Sequence, residues 1–337
     1  MELIYPEFYD RFAAFLRSLE DKRVVVIAHA RPDGDCIGSQ VALTRVLRAL
    51  GIDAICANPD PTPRRIQFAV GDTPLVRFDG LPTGELTAIY VDCADQSRAG
   101  VKFKTRFPAP FANIDHHLSN DGFATHNFID VGSAATAEIL AGLFIDHHLP
   151  VDAQAAQALY TGIATDTGQF RFNSTSRRTF MIVGELMARG AQPAAAAAEL
   201  YERETPGKLE LLQRFLASLR YECDGRVCIG SLPDGIYAAT GTSQEDAEGL
   251  VDYARSIEGV DIGVLIEEQA GSIKASLRAK DPVYRMDLIA AHFNGGGHAC
   301  AAGLNQTHVA VDLFRSRLVA ALGDQIAAVD RLKKPTS

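Results

Sequence analysis

The sequence predicts an α/β protein: a doubly wound, mainly parallel sheet in the first half and a smaller α/β C-terminal domain, with the active-site cleft between them. Three observations carry that expectation. Val24-Val25-Val26-Ile27-Ala28 is a continuous apolar, largely β-branched run, the pattern of a strand buried on both faces of a parallel sheet. Strand-like and helix-like patterns then alternate along the chain, as βαβ units require. Four apolar elements of the first half also end on clusters of carboxylates and histidines, and a doubly wound sheet gathers such ends along one edge, where ligands bind.

Whole-chain properties narrow the function. At 337 residues with 47% hydrophobic content, the chain has material for about two cores. The net charge of −9 argues against a long nucleic-acid footprint, which needs a basic stripe, while leaving room for a small anionic substrate held through bound cations. Cys36, Cys56, Cys93, Cys223, Cys228 and Cys300 show no metal-type or redox spacing and read as reduced thiols of a cytoplasmic protein. No apolar run approaches the roughly 18 residues of a membrane span, and the N-terminus lacks the basic start of a signal peptide, so no membrane association is expected.

Taken in order, Phe8, Phe12, Phe15, Leu16 and Leu19 recur at helical spacing and predict an opening helix that covers one sheet face. The first strand delivers the chain into His29-Ala30-Arg31-Pro32-Asp33-Gly34-Asp35, where Pro32 and Gly34 favour a tight turn that folds His29, Asp33 and Asp35 toward one point. One imidazole and two carboxylates suit a divalent metal; the plainer alternative is that the aspartates cap a helix starting near Cys36. That helix stops at Gly51, residues 54–57 form a second strand, and Pro59, Pro61 and Pro63 enforce a loop. A third strand, residues 87–91, runs into Asp92, and a fourth apolar segment, residues 111–114, ends on Asp115-His116-His117. Helical patterns follow at about residues 134–145 and 153–163, the second running into Asp166.

From residue 176 to 220 the pattern is helical, broken at Thr205-Pro206-Gly207. This predicts a first domain over residues 1–190, a helical linker over 191–207 and a second, smaller domain over 208–330. In the last, residues 227–230, 260–266 and 272–278 read as strands, and residues 244–257 and 286–293 as helices. Near its end stands Gly295-Gly296-Gly297-His298, which presents unshielded backbone amides beside an imidazole, a plausible nest for a phosphate. Arg278, at a strand end, could add a bidentate phosphate contact or simply be solvated. Asp-His-His occurs a second time, at residues 146–148. That copy follows a helix, where histidines favour the negative end of the dipole, and it is expected to be inert.

Five motifs together resemble the DHH phosphoesterase superfamily, and in particular its nanoRNase and pAp-phosphatase branch with a DHHA1 C-terminal domain. They are His29-Ala30-Arg31-Pro32-Asp33-Gly34-Asp35-Cys36-Ile37-Gly38-Ser39, Val91-Asp92-Cys93-Ala94-Asp95, Asn113-Ile114-Asp115-His116-His117, Gly162-Ile163-Ala164-Thr165-Asp166-Thr167-Gly168 and the glycine-histidine run. Ala299-Cys300 and the basic insert at residues 102–106 depart from the pattern.

The resemblance implies two divalent metal ions, Mn²⁺ above others, with His29, Asp33 and Asp92 holding one and Asp35, Asp92, His116 and Asp166 the other, Asp92 bridging. In an extended segment adjacent side chains point oppositely, so His117 is assigned to the scissile phosphate and Asp115 to orienting a ligand histidine. Arg278, Gly295, Gly296, Gly297 and His298 would bind the substrate; Arg98 and Ser133 are auxiliary candidates. The implied activity is a phosphodiesterase releasing 5′-mononucleotides from very short oligonucleotides, together with 3′-phosphatase action on pAp and hydrolysis of cyclic or linear dinucleotides. A homodimer is compatible with this reading. Two alternatives remain: an inorganic pyrophosphatase, whose C-terminal domain would be rich in lysine and arginine, and a noncatalytic nucleotide-binding regulator.

Overall fold

The computed structural model of the protein describes residues 2–333. The chain divides between Arg203 and Glu204 into two compact units. The first contains α1 (Tyr9–Arg17), β1 (Arg23–Ile27), α2 (Gly34–Ala49), β2 (Asp53–Asn58), α3 (Gln67–Val70), β3 (Leu75–Arg77) and β4 (Thr87–Val91). It continues with α4 (Val101–Arg106), β5 (Ala112–Asp115), β6 (His126–Ile129), α5 (Thr136–Asp146), α6 (Ala153–Asp166), α7 (Arg177–Ala188) and α8 (Pro193–Tyr201).

Its six strands are all parallel, in the order β3-β2-β1-β4-β5-β6. The chain leaves β1 toward one edge through β2 and β3 and resumes on the other side at β4. The carboxyl ends of β1 and β4 therefore flank the switch point, where doubly wound sheets bind ligands. Ile27 pairs with Tyr90, and that register, carried two residues further, brings His29 level with Asp92. Alternate residues of β1 enter opposite cores: Val24 and Val26 pack with α1, α2, α5 and α6, whereas Val25 and Ile27 pack with Tyr90, Phe103 and Phe107. Both sheet faces are thus covered, which is why the run is apolar without alternation.

The helix after His29 begins at Gly34, two residues earlier than expected. Asp33 is its N-cap and accepts the Cys36 N–H at 3.0 Å. Capping and metal ligation are therefore compatible roles rather than alternatives for this carboxylate. Strands β3 and β6 carry too few apolar residues to announce themselves. The basic insert is the short helix α4, which buries Phe103 and places Lys102 3.2 Å from Asp79.

The second unit contains α9 (Pro206–Ala217), β7 (Arg220–Glu222), β8 (Val227–Leu232), α10 (Ile236–Thr240), α11 (Leu250–Ser256), β9 (Ile262–Gln269) and β10 (Ser272–Ala279). Then follow α12 (Met286–His292), β11 (Gly296–His298), β12 (Ala301–Thr307) and α13 (Val311–Lys333). Of residues 191–207, α8 sends Ala196 and Leu200 into the core of the first unit, and α9 opens the second.

The second sheet runs β11-β12-β10-β9-β8-β7 and is antiparallel except for the β8–β9 pair. β10 alternates strictly: Ile273, Ala275, Leu277 and Ala279 enter the core with α12 and α13, and Lys274, Ser276 and Arg278 face the other way. Helix α13 was not expected from sequence although Phe314, Leu318, Leu322, Ile326 and Val329 mark its buried stripe at spacings of three and four. Among the described residues no helix is long and apolar enough to cross a membrane.

Candidate metal centre

Seven side chains named from the sequence converge at the carboxyl edge of the parallel sheet. Their donor atoms form overlapping groups, each within 4.8 Å: His29, Asp33 and Asp92; Asp35, His116 and Asp166; and Asp92, His116 and His117. His29, two residues past β1, directs Nδ1 to the Ala30 carbonyl at 2.9 Å and Nε2 toward Asp92 Oδ2 at 3.2 Å and Asp33 Oδ2 at 3.6 Å. Asp92 leaves β4 in the left-handed region, at φ 56°, with its N–H on the Ile114 carbonyl. Only glycine, asparagine and aspartate visit that conformation readily, and it turns the carboxylate inward.

The two oxygens of Asp92 face different ways. Oδ2 approaches His29, while Oδ1 receives the Thr136 hydroxyl at 3.2 Å and lies 3.7 Å from His116 Nε2. The same His116 nitrogen lies 3.3 Å from Asp166 Oδ2 and 4.0 Å from Asp35 Oδ2. Asp35, in the first turn of α2, is fully buried and held by the N-terminal amides of α5: Thr136 N donates to Oδ2 at 2.7 Å and Ala137 N to Oδ1 at 2.8 Å. A helix N-terminus is a natural seat for a carboxylate. Asp166, the last residue of α6, completes this side.

Electrostatics show what the arrangement lacks in fixed positive charge. Burial, followed by the charges of Asp92 and Asp166, pushes the Asp35 carboxyl well above its ordinary range. Burial and the charge of Asp92 do the same to Asp166. Burial opposes a charged imidazole at His29, but hydrogen bonds to Asp33 and Asp92 outweigh it and raise its pKa to about 10. Asp35, Asp166 and His29 thus keep protons that a divalent cation would displace. Oxygen-rich donors with two imidazoles suit such a cation.

The Asp-His-His triplet departs from expectation in one respect. β5 ends at Asp115, so strand alternation does not govern the two histidines, and their rings lie edge to face with centroids 4.7 Å apart. Asp115 Oδ1 accepts from His117 Nδ1 at 2.7 Å, whereas His116 Nδ1 faces the Ser133 carbonyl at 3.4 Å. Asp115 therefore orients the histidine assigned to phosphate, not a ligand histidine. Asn120 Nδ2 donates to its other oxygen at 2.6 Å. Although burial lowers the His117 pKa, the Asp115 hydrogen bond and the charge of Asp92 carry it above the ordinary imidazole value.

The second triplet has structural work to do. Asp146 caps the N-terminal segment, accepting Ile4 N–H and Tyr5 N–H at 2.8 Å each, and His147 stacks on Tyr9 at 4.3 Å. That histidine is packed between the Tyr9 and Phe12 rings, the latter centroid 5.5 Å away.

The substrate candidates belong to the second unit. Arg278 pairs with Ala301, which pairs with His298, so the three form one cross-strand row on one sheet face with alanine between the two long side chains. The glycine run is not a coil of unshielded amides. Gly295 N–H is taken by the Ala290 carbonyl at 2.7 Å, and residues 296–298 form β11, hairpinned to β12. A Cβ at Gly295 or Gly297 would come within 2.5 Å of a β12 carbonyl, so glycine is required by close strand approach. The residues that sequence reasoning left out are Thr136 and Ala137, whose N–H groups seat Asp35. A polar Ser-Ala-Ala-Thr entry to an apolar helix is the signal that could have shown them.

Comparison with known proteins identifies the family. Residues 23–192 match the DHH family, N-terminal domain, and residues 227–324 match the DHHA1 domain. The chain belongs to the DHH family. Within it, the chain is similar to proteins named bifunctional oligoribonuclease and PAP phosphatase NrnA. The one from Thermus thermophilus is 29% identical over 326 residues, covering 95% of this chain and 96% of its own. The Bacillus subtilis protein is 28% identical over 297 residues, covering 83% and 88%. The crystal structure of an exopolyphosphatase-related protein from Bacteroides fragilis shares the fold with a TM-score of 0.86 at 23% identity, covering 96% of this chain and 98% of that one.

Proposed function

We propose that this protein is a phosphohydrolase dependent on divalent metal ions, cleaving very short oligonucleotides to mononucleotides and removing the 3′-phosphate of pAp, with Mn²⁺ as its metal. The observation that carries this reading is Asp92, whose two oxygens face two different donor groups, so that this one carboxylate could serve both of a pair of cations. His29, Asp33 and Asp92 would hold one ion, and Asp35, Asp92, His116 and Asp166 the other. Bound there, the cations would supply a water nucleophilic at neutral pH and neutralise phosphate charge.

The chain's own groups do the rest. His117, with Nδ1 committed to Asp115 and its pKa raised, keeps Nε2–H to donate to a phosphoryl oxygen as charge builds on it. The Arg98 carbonyl accepts the Ala30 N–H at 2.8 Å, and the Arg98 charge, which lowers the pKa of Asp33 and His117, would also favour a phosphate there. Arg278 and His298 would grip a terminal phosphate or base of the substrate. The names of the relatives from Thermus thermophilus and Bacillus subtilis support this choice of substrates.

Incubation of the purified protein in Mn²⁺ with pApA, pAp, cyclic diadenylate and pyrophosphate tests the reading. Release of AMP from pApA and of phosphate from pAp is expected, with cyclic diadenylate cleaved through the linear dinucleotide. Turnover of pyrophosphate alone, or of nothing, would overturn it.

A further inference from the structure

The segment from Asp130 to Glu138 contributes no side chain to the candidate ligand set, yet it touches three members. The Ser133 carbonyl faces His116 Nδ1 at 3.4 Å, the Thr136 and Ala137 N–H groups hold both oxygens of Asp35, and the Thr136 hydroxyl holds Asp92. On its other side the segment is fastened by one cation from α7. Arg178 Nε donates to Glu138 Oε1 at 2.9 Å, and Nη2 donates to Asp130 Oδ2 at 2.8 Å and Ser133 Oγ at 3.0 Å.

The carboxylates and hydroxyls of the fastening are themselves partnered. Glu138 is fully buried, and its second oxygen accepts the Ala134 N–H at 3.1 Å and the Thr179 hydroxyl at 3.0 Å. Ser133 Oγ donates to Asp130 Oδ2 at 2.7 Å, so it receives both Arg178 and the Tyr5 phenol, the latter at 2.7 Å. The Arg178 guanidinium lies 4.7 Å from the centroid of the Tyr5 ring. A planar fork that serves two carboxylates and a hydroxyl while stacking on a ring is a task for arginine, which lysine meets only in charge.

We propose that Arg178 is a positioning residue of the metal centre, acting through the 130–138 segment to hold His116 and Asp35 in ligand geometry. The proposal rests on the metal reading above. Without the guanidinium, Glu138 and Asp130 lose their shared counter-charge, and a buried carboxylate stripped of its partner must find water or a proton. The segment then shifts, and the carbonyl and amides that aim His116 and Asp35 shift with it. The partners of Arg178 given above, Glu138, Asp130, Ser133 and Tyr5, are none of them in the candidate ligand set.

Mn²⁺ titration followed by electron paramagnetic resonance, with kcat and KM for pApA and thermal unfolding, decides this for the unmodified protein and for Arg178→Gln and Arg178→Lys. Arg178→Gln should weaken binding of one Mn²⁺ equivalent by about 10- to 100-fold and lower kcat at limiting Mn²⁺, with KM for pApA within about twofold. Excess Mn²⁺ should recover part of the rate, and Arg178→Lys should fall between the two. Should Arg178→Gln fail to fold, Ser133→Ala, which removes the hydroxyl and keeps the carbonyl, carries the test with a smaller loss in the same direction. Folded variants that bind both equivalents as tightly as the unmodified protein, even with a lower melting temperature, overturn the proposal by making Arg178 a structural clamp only. An unmodified protein that binds no Mn²⁺ overturns the metal reading instead, a result readable before any variant is made.

Discussion

Asp92 concentrates what a single residue does here. Its left-handed backbone is one that asparagine also adopts, so Asp92→Asn should fold normally while losing the charge that two cations share. Turnover of pApA should vanish and Mn²⁺ affinity should drop; wild-type turnover in a folded variant would refute the bridging role. The protons of the metal-free centre give a second expectation. Asp35 and Asp166 have raised pKa values, and His29 titrates at about 10, so all three are more protonated when folded than when unfolded near neutral pH. The unfolded chain binds fewer protons there, so the metal-free centre loses stability as pH rises, with the His29 contribution complete below about 6.5 and gone above about 10. Metal must displace those protons. Calorimetry in buffers of different ionisation enthalpy should show proton release on Mn²⁺ binding, and affinity should rise with pH; binding without proton release would contradict the assignment. The His117–Asp115 pair makes a third case. His117→Ala should lower kcat roughly 100-fold, whereas His148→Ala in the second triplet should change it little. Because Asp115 raises the His117 pKa, Asp115→Asn should move the alkaline fall of the kcat profile toward lower pH, and an unmoved profile would remove His117 as the donor.

At the scale of elements, the centre depends on how closely α2 approaches α6. A Cβ added at Gly38 would stand 2.3 Å from the Ala158 carbonyl and 3.2 Å from Gly162 N, both backbone atoms that cannot swing aside. A Cβ at Gly162 would stand 3.0 Å from Asp35 Oδ1. These glycines serve contact rather than turns, since neither has a positive φ. Gly38→Ala should therefore force the helices apart at a cost of about 1–3 kcal/mol, read as a lower urea midpoint. Because Asp35 rides on α2 and Asp166 on α6, Mn²⁺ affinity should fall with it, and unchanged stability and affinity would show that the interface relaxes freely. The short β11–β12 hairpin applies the same rule to strands: its glycines admit a neighbouring backbone, and a polar, glycine-rich stretch becomes sheet.

For the molecule as a whole, the proposed labour is divided between the units. The proposed metal ligands all lie before Arg203, and the proposed substrate residues Arg278 and His298 lie after Glu204. Each charge-assisted phosphate contact contributes about 1.5–3 kcal/mol, so Arg278→Ala and His298→Ala should lower kcat/KM for pApA about 10- to 100-fold while Mn²⁺ stoichiometry stays at its unmodified value. Bis(p-nitrophenyl) phosphate, with a labile bond and no second nucleotide to hold, should be hydrolysed at nearly the unmodified rate. Equal losses on both esters, or a loss of bound Mn²⁺, would place these residues in the catalytic centre instead.

Much of this was legible in one dimension. The apolar run into His29, the strand into Asp92 and the strand into Asp115 are local patterns, and strand ends carry ligand chemistry in any doubly wound sheet, but it was the resemblance of the five motifs to the DHH superfamily that turned these clusters, with Asp166 at a helix end, into a ligand set. Strands β3, β6, β7, β11 and β12 escaped because each is short, polar or glycine-bearing and becomes strand only through its neighbour's hydrogen bonds. Tertiary structure alone decided the pairings. It brought His29 level with Asp92 through the β1–β4 register, gave Asp115 to His117 rather than His116, seated Asp35 on amides 101 and 102 residues away, and set Arg178 against Asp130 and Glu138. Periodicity reports which face a residue presents, because that depends on a few neighbouring dihedrals. Which donor meets which acceptor depends on strand register and on how closely helices pack, and those are set by contacts between residues far apart in the chain.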